Sequence, residues 1–234
     1  MFEKIKKKNI YCPSGIMDIH GLINGILSFE GNIYYFLITF AILGGGIKYV
    51  DDAFDEESFK KRNAMIVAPV LGILWGYTCL INQFAGTLLL AILLSVLLTG
   101  KIDNLGHQLG LAIIIALLIL AGLNVVWVPL IFLVIGGIID ETGNDLMDEK
   151  AESFTFNGAI KNFLIYFFKY RFMMKIIVVI LTVVGMIPLY LFGAFILFEV
   201  WYIFVTFLSE KLKTNPSNAS LWRSLESLDF SKEE

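Results

Sequence analysis

Two cysteines and two histidines among 234 residues leave little room for the disulfide, zinc or thiol chemistry those side chains usually carry. Cys12 and Cys79 are too few and too far apart for a disulfide framework or a cysteine metal site, and each reads as a small apolar filler. Charge is equally scarce. Only 17% of residues are charged against 57% hydrophobic, and the mean hydropathy is +0.76, which excludes a soluble domain. No glycine-rich nucleotide loop, nucleophile elbow or zinc-binding helix motif occurs. The basic start Lys4-Ile5-Lys6-Lys7-Lys8 is followed by a stretch holding Pro13, Asp18 and His20 without a small-residue cleavage site, which argues against a signal peptide.

What is abundant is apolar sequence in runs near the length that crosses a bilayer, about 20 residues. They cover 33–50, 64–81, 84–99, 109–123, 125–139, 172–190 and 191–208. The expected fold is therefore all-α: a polytopic transmembrane helical bundle of about seven to eight spans, built of hairpins. It forms one domain over 1–208, and a polar cytoplasmic tail covers 209–234. The undecided span is 10–29, where isoleucines recur at helical spacing among Asp18, His20 and Asn24; within 1–31 an interfacial or partly inserted segment fits best. The runs 109–123 and 125–139 hold 15 residues each. At 1.5 Å per residue that is only about 22 Å, so they should extend into their polar flanks. The stretch 151–175 is amphipathic and basic and reads as a loop plus an interfacial helix.

Charge is distributed asymmetrically. Lys48, Lys60, Lys61, Arg62, Lys101, Lys150, Lys161, Lys211 and Lys213 all fall at one side of the hairpins, whereas the turns at Asn82-Gln83, Asn124 and 185–188 carry none. The positive-inside rule makes the basic side cytoplasmic, in a multi-pass protein of the cell membrane.

Three apolar runs end on that side in polar, largely acidic clusters. The first, Asp51-Asp52-Ala53-Phe54-Asp55, has the spacing D-D-x-x-D, which on a helix lets Asp55 converge with Asp51 and Asp52. The helix C-terminus is itself partly negative, so such a cluster needs a cation. The last, Asn144-Asp145-Leu146-Met147-Asp148, has the spacing N-D-x-x-D, and Glu152 continues its face. Carboxylates without cysteine favour hard cations such as Mg²⁺, which bridges one or two carboxylates to substrate phosphates. Lys48, Lys61, Arg62 and Lys150 are close by to neutralise a diphosphate. The middle cluster holds Asp103, Asn104 and His107; His107 could ligate a metal or move a proton, though such a histidine is more often an exposed loop residue. Glu199 lies inside the last apolar run, where an ionisable group is functional or is a protonated glutamate bonded to a neighbouring hydroxyl or backbone group. Gly44-Gly45-Gly46 reads as a close helix-packing or hinge site. Trp75, Tyr77, Trp127, Trp201 and Tyr202 could line a cavity or anchor the interface.

The stretch from Gly44 to Asp55, followed by Lys61-Arg62, resembles the first aspartate motif of the UbiA-type intramembrane prenyltransferases, N-D-x-x-D-x-x-x-D. Asn144-Asp145-x-x-Asp148-x-x-x-Glu152 resembles the second, D-x-x-D-x-x-x-D. Asp51 stands where that family usually has Asn, and Phe59 in the place of the last aspartate. The resemblance implies a helical bundle with a central cavity open towards lipid. It also implies two motifs that bind Mg²⁺ and an isoprenyl diphosphate, and prenyl transfer to an acceptor. On that expectation Asp51, Asp52, Asp55, Asn144, Asp145, Asp148 and Glu152 hold metal, and Lys48, Lys61, Arg62 and Lys150 hold the diphosphate. The alternative from another class is a cation channel or transporter with an acidic cytoplasmic vestibule and Glu199 along its path. A membrane scaffold with solvated loops is the third reading, and it predicts no specific ion binding.

Overall fold

The computed structural model describes residues 32–150 and 158–214, with side chains throughout except at 148–150 and 214. The N-terminal segment 1–31, Glu152 and the tail beyond 214 lie outside the described residues, as do the side chains of Asp148 and Lys150. Among the described residues all regular structure is helical, in eight helices.

Helix α1 spans Ile33–Phe54, α2 Lys61–Ile81, α3 Gln83–Leu98 and α4 Leu105–Ala121. They are followed by α5, Trp127–Lys150, α6, Gly158–Lys169, α7, Phe172–Val183, and α8, Leu189–Thr214. Asparagines start three of them: the side chains of Asn32, Asn82 and Asn104 accept backbone N–H groups of the first turns of α1, α3 and α4. Each thereby satisfies donors that a helix start leaves without a partner.

Three helices, α1, α2 and α8, are long and apolar enough to cross a membrane, while α3, α4 and α7 are apolar but shorter. The 12 residues of α7 reach only about 18 Å at 1.5 Å per residue, so the run expected over 172–190 is not one continuous rod. The chain breaks at Gly185, whose φ of +80° only glycine adopts without strain, and α8 starts after Pro188. As expected, the third acidic cluster continues a helix: α5 carries Asp140 to Lys150 on its last turns. Helix α8 runs to Thr214, past residue 208, and its end is tied back by Ser209 Oγ donating to Ser58 Oγ at 2.7 Å and by an ion pair from Lys213 to Glu56.

Helices pack in parallel couples. Along α1 and α8 the contacts advance together, from Phe36 on Tyr190 through Gly44 on Phe198 to Lys48 over Tyr202. A side chain at Gly44 would overlap the Phe198 carbonyl, and one at Gly46 would meet Leu71 of α2 at 2.6 Å. The glycine triplet is thus a place of close helix approach. Helices α2 and α4 repeat the device: a side chain at Gly72 would meet the Gly110 carbonyl at 2.8 Å, and one at Gly76 would meet Leu117 at 2.8 Å. Small residues let backbones meet where dispersion rather than water exclusion drives association. Helix α3 lies along α5, with Thr87 accepting from the Val126 amide at 2.9 Å and Ser95 against Gly137. The consequence is positional, since the ends of α1, α5 and α8 and the start of α4 gather at one end of the bundle.

Candidate functional site

The first acidic cluster sits on the last turn of α1, where its own helix supplies the counter-ion. Lys48 Nζ donates to Asp51 Oδ2 at 2.7 Å and lies 2.9 Å from Asp52 Oδ1, three and four residues along one helix face. Asp52 is 2% exposed, and its second oxygen, Oδ2, is buried with no hydrogen-bond partner. Asp55 follows as the exposed C-cap. Its pKa is raised by burial and then by the negative charges of Asp51 and Asp103, against a smaller opposing effect of His107. The middle cluster therefore belongs to the same electrostatic neighbourhood as the first. His107 is held there by Asn104, whose Oδ1 accepts the His107 amide at 2.9 Å and whose Nδ2 lies 3.0 Å from His107 Nδ1.

The third cluster is bound from outside its own helix. Lys101, in the loop between α3 and α4, lies 2.8 Å from Glu141 Oε2 and 2.7 Å from Asp145 Oδ1. Burial alone would lower the Lys101 pKa, but the hydrogen bonds it donates to Asp145 and Glu141 and their charges outweigh it and raise it. The other Glu141 oxygen is 2.7 Å from Arg171 Nη2. Arg171 joins α6 to α7 in the left-handed conformation, φ +49°, which a non-glycine residue adopts at a cost of roughly 1–3 kcal/mol. Asp140 secures that corner, its two oxygens accepting the Met173 and Met174 amides at 3.0 and 2.7 Å.

These groups surround a cavity of about 850 Å³. Lys48, Lys101, Lys169 and Arg171 line its polar part together with Asp51, Glu56, Glu141, Glu199 and Glu210, beside His107 and Asn144; Leu71, Trp75, Ile92, Ile114 and Phe198 line its apolar part. Tyr202 connects them: Arg171 and Lys48 lie over its ring, 5.2 and 5.5 Å from the centroid. The space thus joins a charged end to an apolar one.

The site residues expected from sequence divide accordingly. Lys48, Asp51, His107 and Asn144 line the cavity, Asp52 and Asn104 lie buried behind it, and Asp145 meets it through Lys101. Asp103 is exposed at the foot of α4. Lys61 pairs with Glu57 at 3.0 Å on the surface, and Arg62 is exposed beside it; neither lines the cavity. Glu199, 7% exposed, also lines the cavity and is paired with Lys175 at 2.9 Å, and Lys175 also donates to the Tyr170 carbonyl. From sequence, no site role fell to Lys101, Asp140, Glu141, Arg171 or Lys175; Lys101 served only to orient the chain. Asp140 and Glu141 open the third acidic cluster, ahead of its N-D-x-x-D spacing on the same helix, whereas Arg171 and Lys175 were hidden in a stretch that amphipathicity explains as interfacial.

Among the described residues no three His, Cys, Asp or Glu side chains form a metal cage by themselves. Mg²⁺ seldom needs one, because it commonly binds through one or two carboxylates and completes its shell with phosphate oxygens and water. Asp51 and Asp52, gripping one cation between them with Asp52 Oδ2 unsatisfied, fit that mode. No family model, curated protein or solved structure matches the chain.

Proposed function

We propose that this protein is a Mg²⁺-dependent intramembrane enzyme acting on an isoprenyl diphosphate, transferring the prenyl group to a small or lipid acceptor in the manner of the UbiA-type prenyltransferases. The observation that carries the reading is the two-part cavity, in which Lys48, Lys101 and Arg171, each paired with a carboxylate, line a charged part and α2, α3, α4 and α8 supply an apolar wall. The diphosphate lies among the cations and the isoprenyl chain along Leu71, Ile92, Ile114 and Phe198. We place the acidic clusters and the tail on the cytoplasmic face of a bundle of seven or eight spans.

In this proposal Asp51, Asp52 and Asp55 on one arm and Asn144 and Asp145 on the other hold the metal; Asp148 and Glu152 extend the second arm in sequence. Bound Mg²⁺ supplies Lewis-acid polarisation of the departing diphosphate oxygens. Lys48, Lys101 and Arg171 bind the diphosphate and neutralise the charge it gains as the carbon–oxygen bond breaks. The apolar wall excludes water, and the faces of Trp75 and Tyr202 favour a developing cation.

The cation channel is the second reading: Glu199 lines the cavity and pairs with Lys175, as intramembrane ionisable residues along ion paths also do.

The test is thermal stabilisation of the detergent-purified protein by Mg²⁺ with geranylgeranyl diphosphate, in wild type and in Asp52→Asn/Asp145→Asn. Stabilisation that needs both ligands and disappears in the variant is expected. Stabilisation by metal alone, or by neither ligand, overturns the proposal and directs attention to ion flux in liposomes.

A further inference from the structure

Each acidic arm holds one lysine between two carboxylates. Lys48 bridges Asp51 and Asp52 at 2.7 and 2.9 Å, and Lys101 bridges Glu141 and Asp145 at 2.8 and 2.7 Å. An ammonium in that position occupies the space that a hard cation would take, and it leaves the first arm incompletely satisfied. Two carboxylates face one positive charge, and Asp52 Oδ2, in a side chain 3% exposed, has no hydrogen-bond partner. A buried carboxylate oxygen without a hydrogen bond is costly. The same lysine also lines the cavity and lies 5.5 Å from the centre of the Tyr202 ring, so its ammonium borders the space that would receive an anion.

We infer that Lys48 is a resident counter-ion that a divalent cation must displace, and that this displacement couples metal binding to binding of the anionic lipid. The inference rests on the reading of the cavity as a lipid-diphosphate site. With metal alone, expelling Lys48 from Asp51 and Asp52 strands an ammonium in a partly desolvated cavity, which is unfavourable. With diphosphate alone, Lys48 remains committed to its carboxylates and offers the anion little. With both ligands present, the metal takes the carboxylates and Lys48 pairs with the phosphate oxygens, so neither charge is left uncompensated. Each ligand therefore strengthens binding of the other by the same factor. Lys101, flanked in the same way, acts likewise on the second arm. The device holds the site neutralised while no substrate is present and stops the acidic arms from retaining metal unproductively.

The experiment measures Mn²⁺ affinity by electron paramagnetic resonance on the full chain in detergent, with and without geranylgeranyl diphosphate. In wild type the diphosphate should tighten Mn²⁺ binding about 5–150-fold, the usual range of such coupling. Lys48→Gln should bind Mn²⁺ alone at least about tenfold more tightly than wild type while the enhancement by diphosphate shrinks towards unity. Lys48→Arg, which keeps the resident charge, should behave as wild type, and Asp52→Asn in the Lys48→Gln background should remove the gained affinity. A Lys48→Gln protein that binds Mn²⁺ alone no more tightly than wild type, in a wild type that binds both ligands, overturns this inference and leaves the proposed function standing. Failure of wild type to bind either ligand in any combination overturns both. If Lys48→Gln is too unstable to purify, Lys101→Gln makes the same measurement at Glu141 and Asp145 with the same expected sign.

Discussion

Glu199 and Lys175 face each other deep in the bundle, and the two residues are worth more as a pair than as contributors counted singly. Removing one member of a buried pair strands the other, at a cost of about 3–5 kcal/mol, while replacing both by apolar groups is often neutral. Glu199→Gln is therefore expected to lower the denaturation midpoint in detergent by a loss of that order, and Lys175→Met/Glu199→Gln to recover most of it. Equal destabilisation by the single and double variants would show that the pair is not the cause. Asp55 makes the opposite prediction. Its pKa is raised by burial and by Asp51 and Asp103, so its ionised form is disfavoured in the folded chain. A raised folded value contributes stability at low pH that is lost as pH rises through it. At neutral pH without metal, Asp55→Asn should thus slightly raise thermal stability, and the gain should vanish below the ordinary carboxylate range. A loss of stability at pH 7 would mean that Asp55 has a favourable partner instead.

At the scale of single helices, the start of α7 depends on a side chain from α5. Asp140 accepts both the Met173 and Met174 amides, which no residue of α7 itself does, since Arg171 makes no side-chain cap. Losing such a cap costs about 0.5–2 kcal/mol. Asp140→Ala should show it as faster amide exchange confined to the first turn of α7 and the Arg171 corner. Uniform acceleration over the whole bundle would instead mean that Asp140 supports the global fold. Helix contact through small residues is equally local in origin. A methyl at Gly44 meets the Phe198 carbonyl, a backbone atom that cannot rotate away. Gly44→Ala should therefore separate α1 from α8, lowering stability by roughly 1–3 kcal/mol as overpacking does, whereas Gly45→Ala, which finds its nearest atom at 3.4 Å, should be milder.

For the whole molecule, the proposed topology places the acidic arms on one membrane face and the bare turns on the other. In a Cys12→Ser/Cys79→Ser background, single cysteines at the exposed positions Gln83, Ala121 and Val184 should be labelled by an impermeant maleimide from one side of sealed vesicles only. Cysteines at Glu57, Asp103 and Glu210 should be labelled only from the other. Labelling of Gln83→Cys and Glu57→Cys from the same side would contradict a crossing by α2. The same arrangement explains why the site needs the bundle: the polar end of the cavity draws on α1, α4, α5, α8 and the loops beside them, so no single hairpin contains it.

The chain's periodicity and composition by themselves determined the local terms of this structure. Apolar runs became helices because only an internally hydrogen-bonded segment suits lipid, and the glycine triplet became a packing contact. The bridge of Lys48 to Asp51 and Asp52 was equally legible, because residues three and four apart on a helix must be neighbours. Tertiary structure alone decided which remote charges meet. Lys101 reaches Glu141 and Asp145, Arg171 reaches Glu141, Asp140 caps a helix not its own, and Lys175 neutralises Glu199. Those pairings depend on which helices lie side by side and at what height. The apolar faces that set the packing are made of near-equivalent residues, so their linear pattern says that a helix is buried without saying against which neighbour.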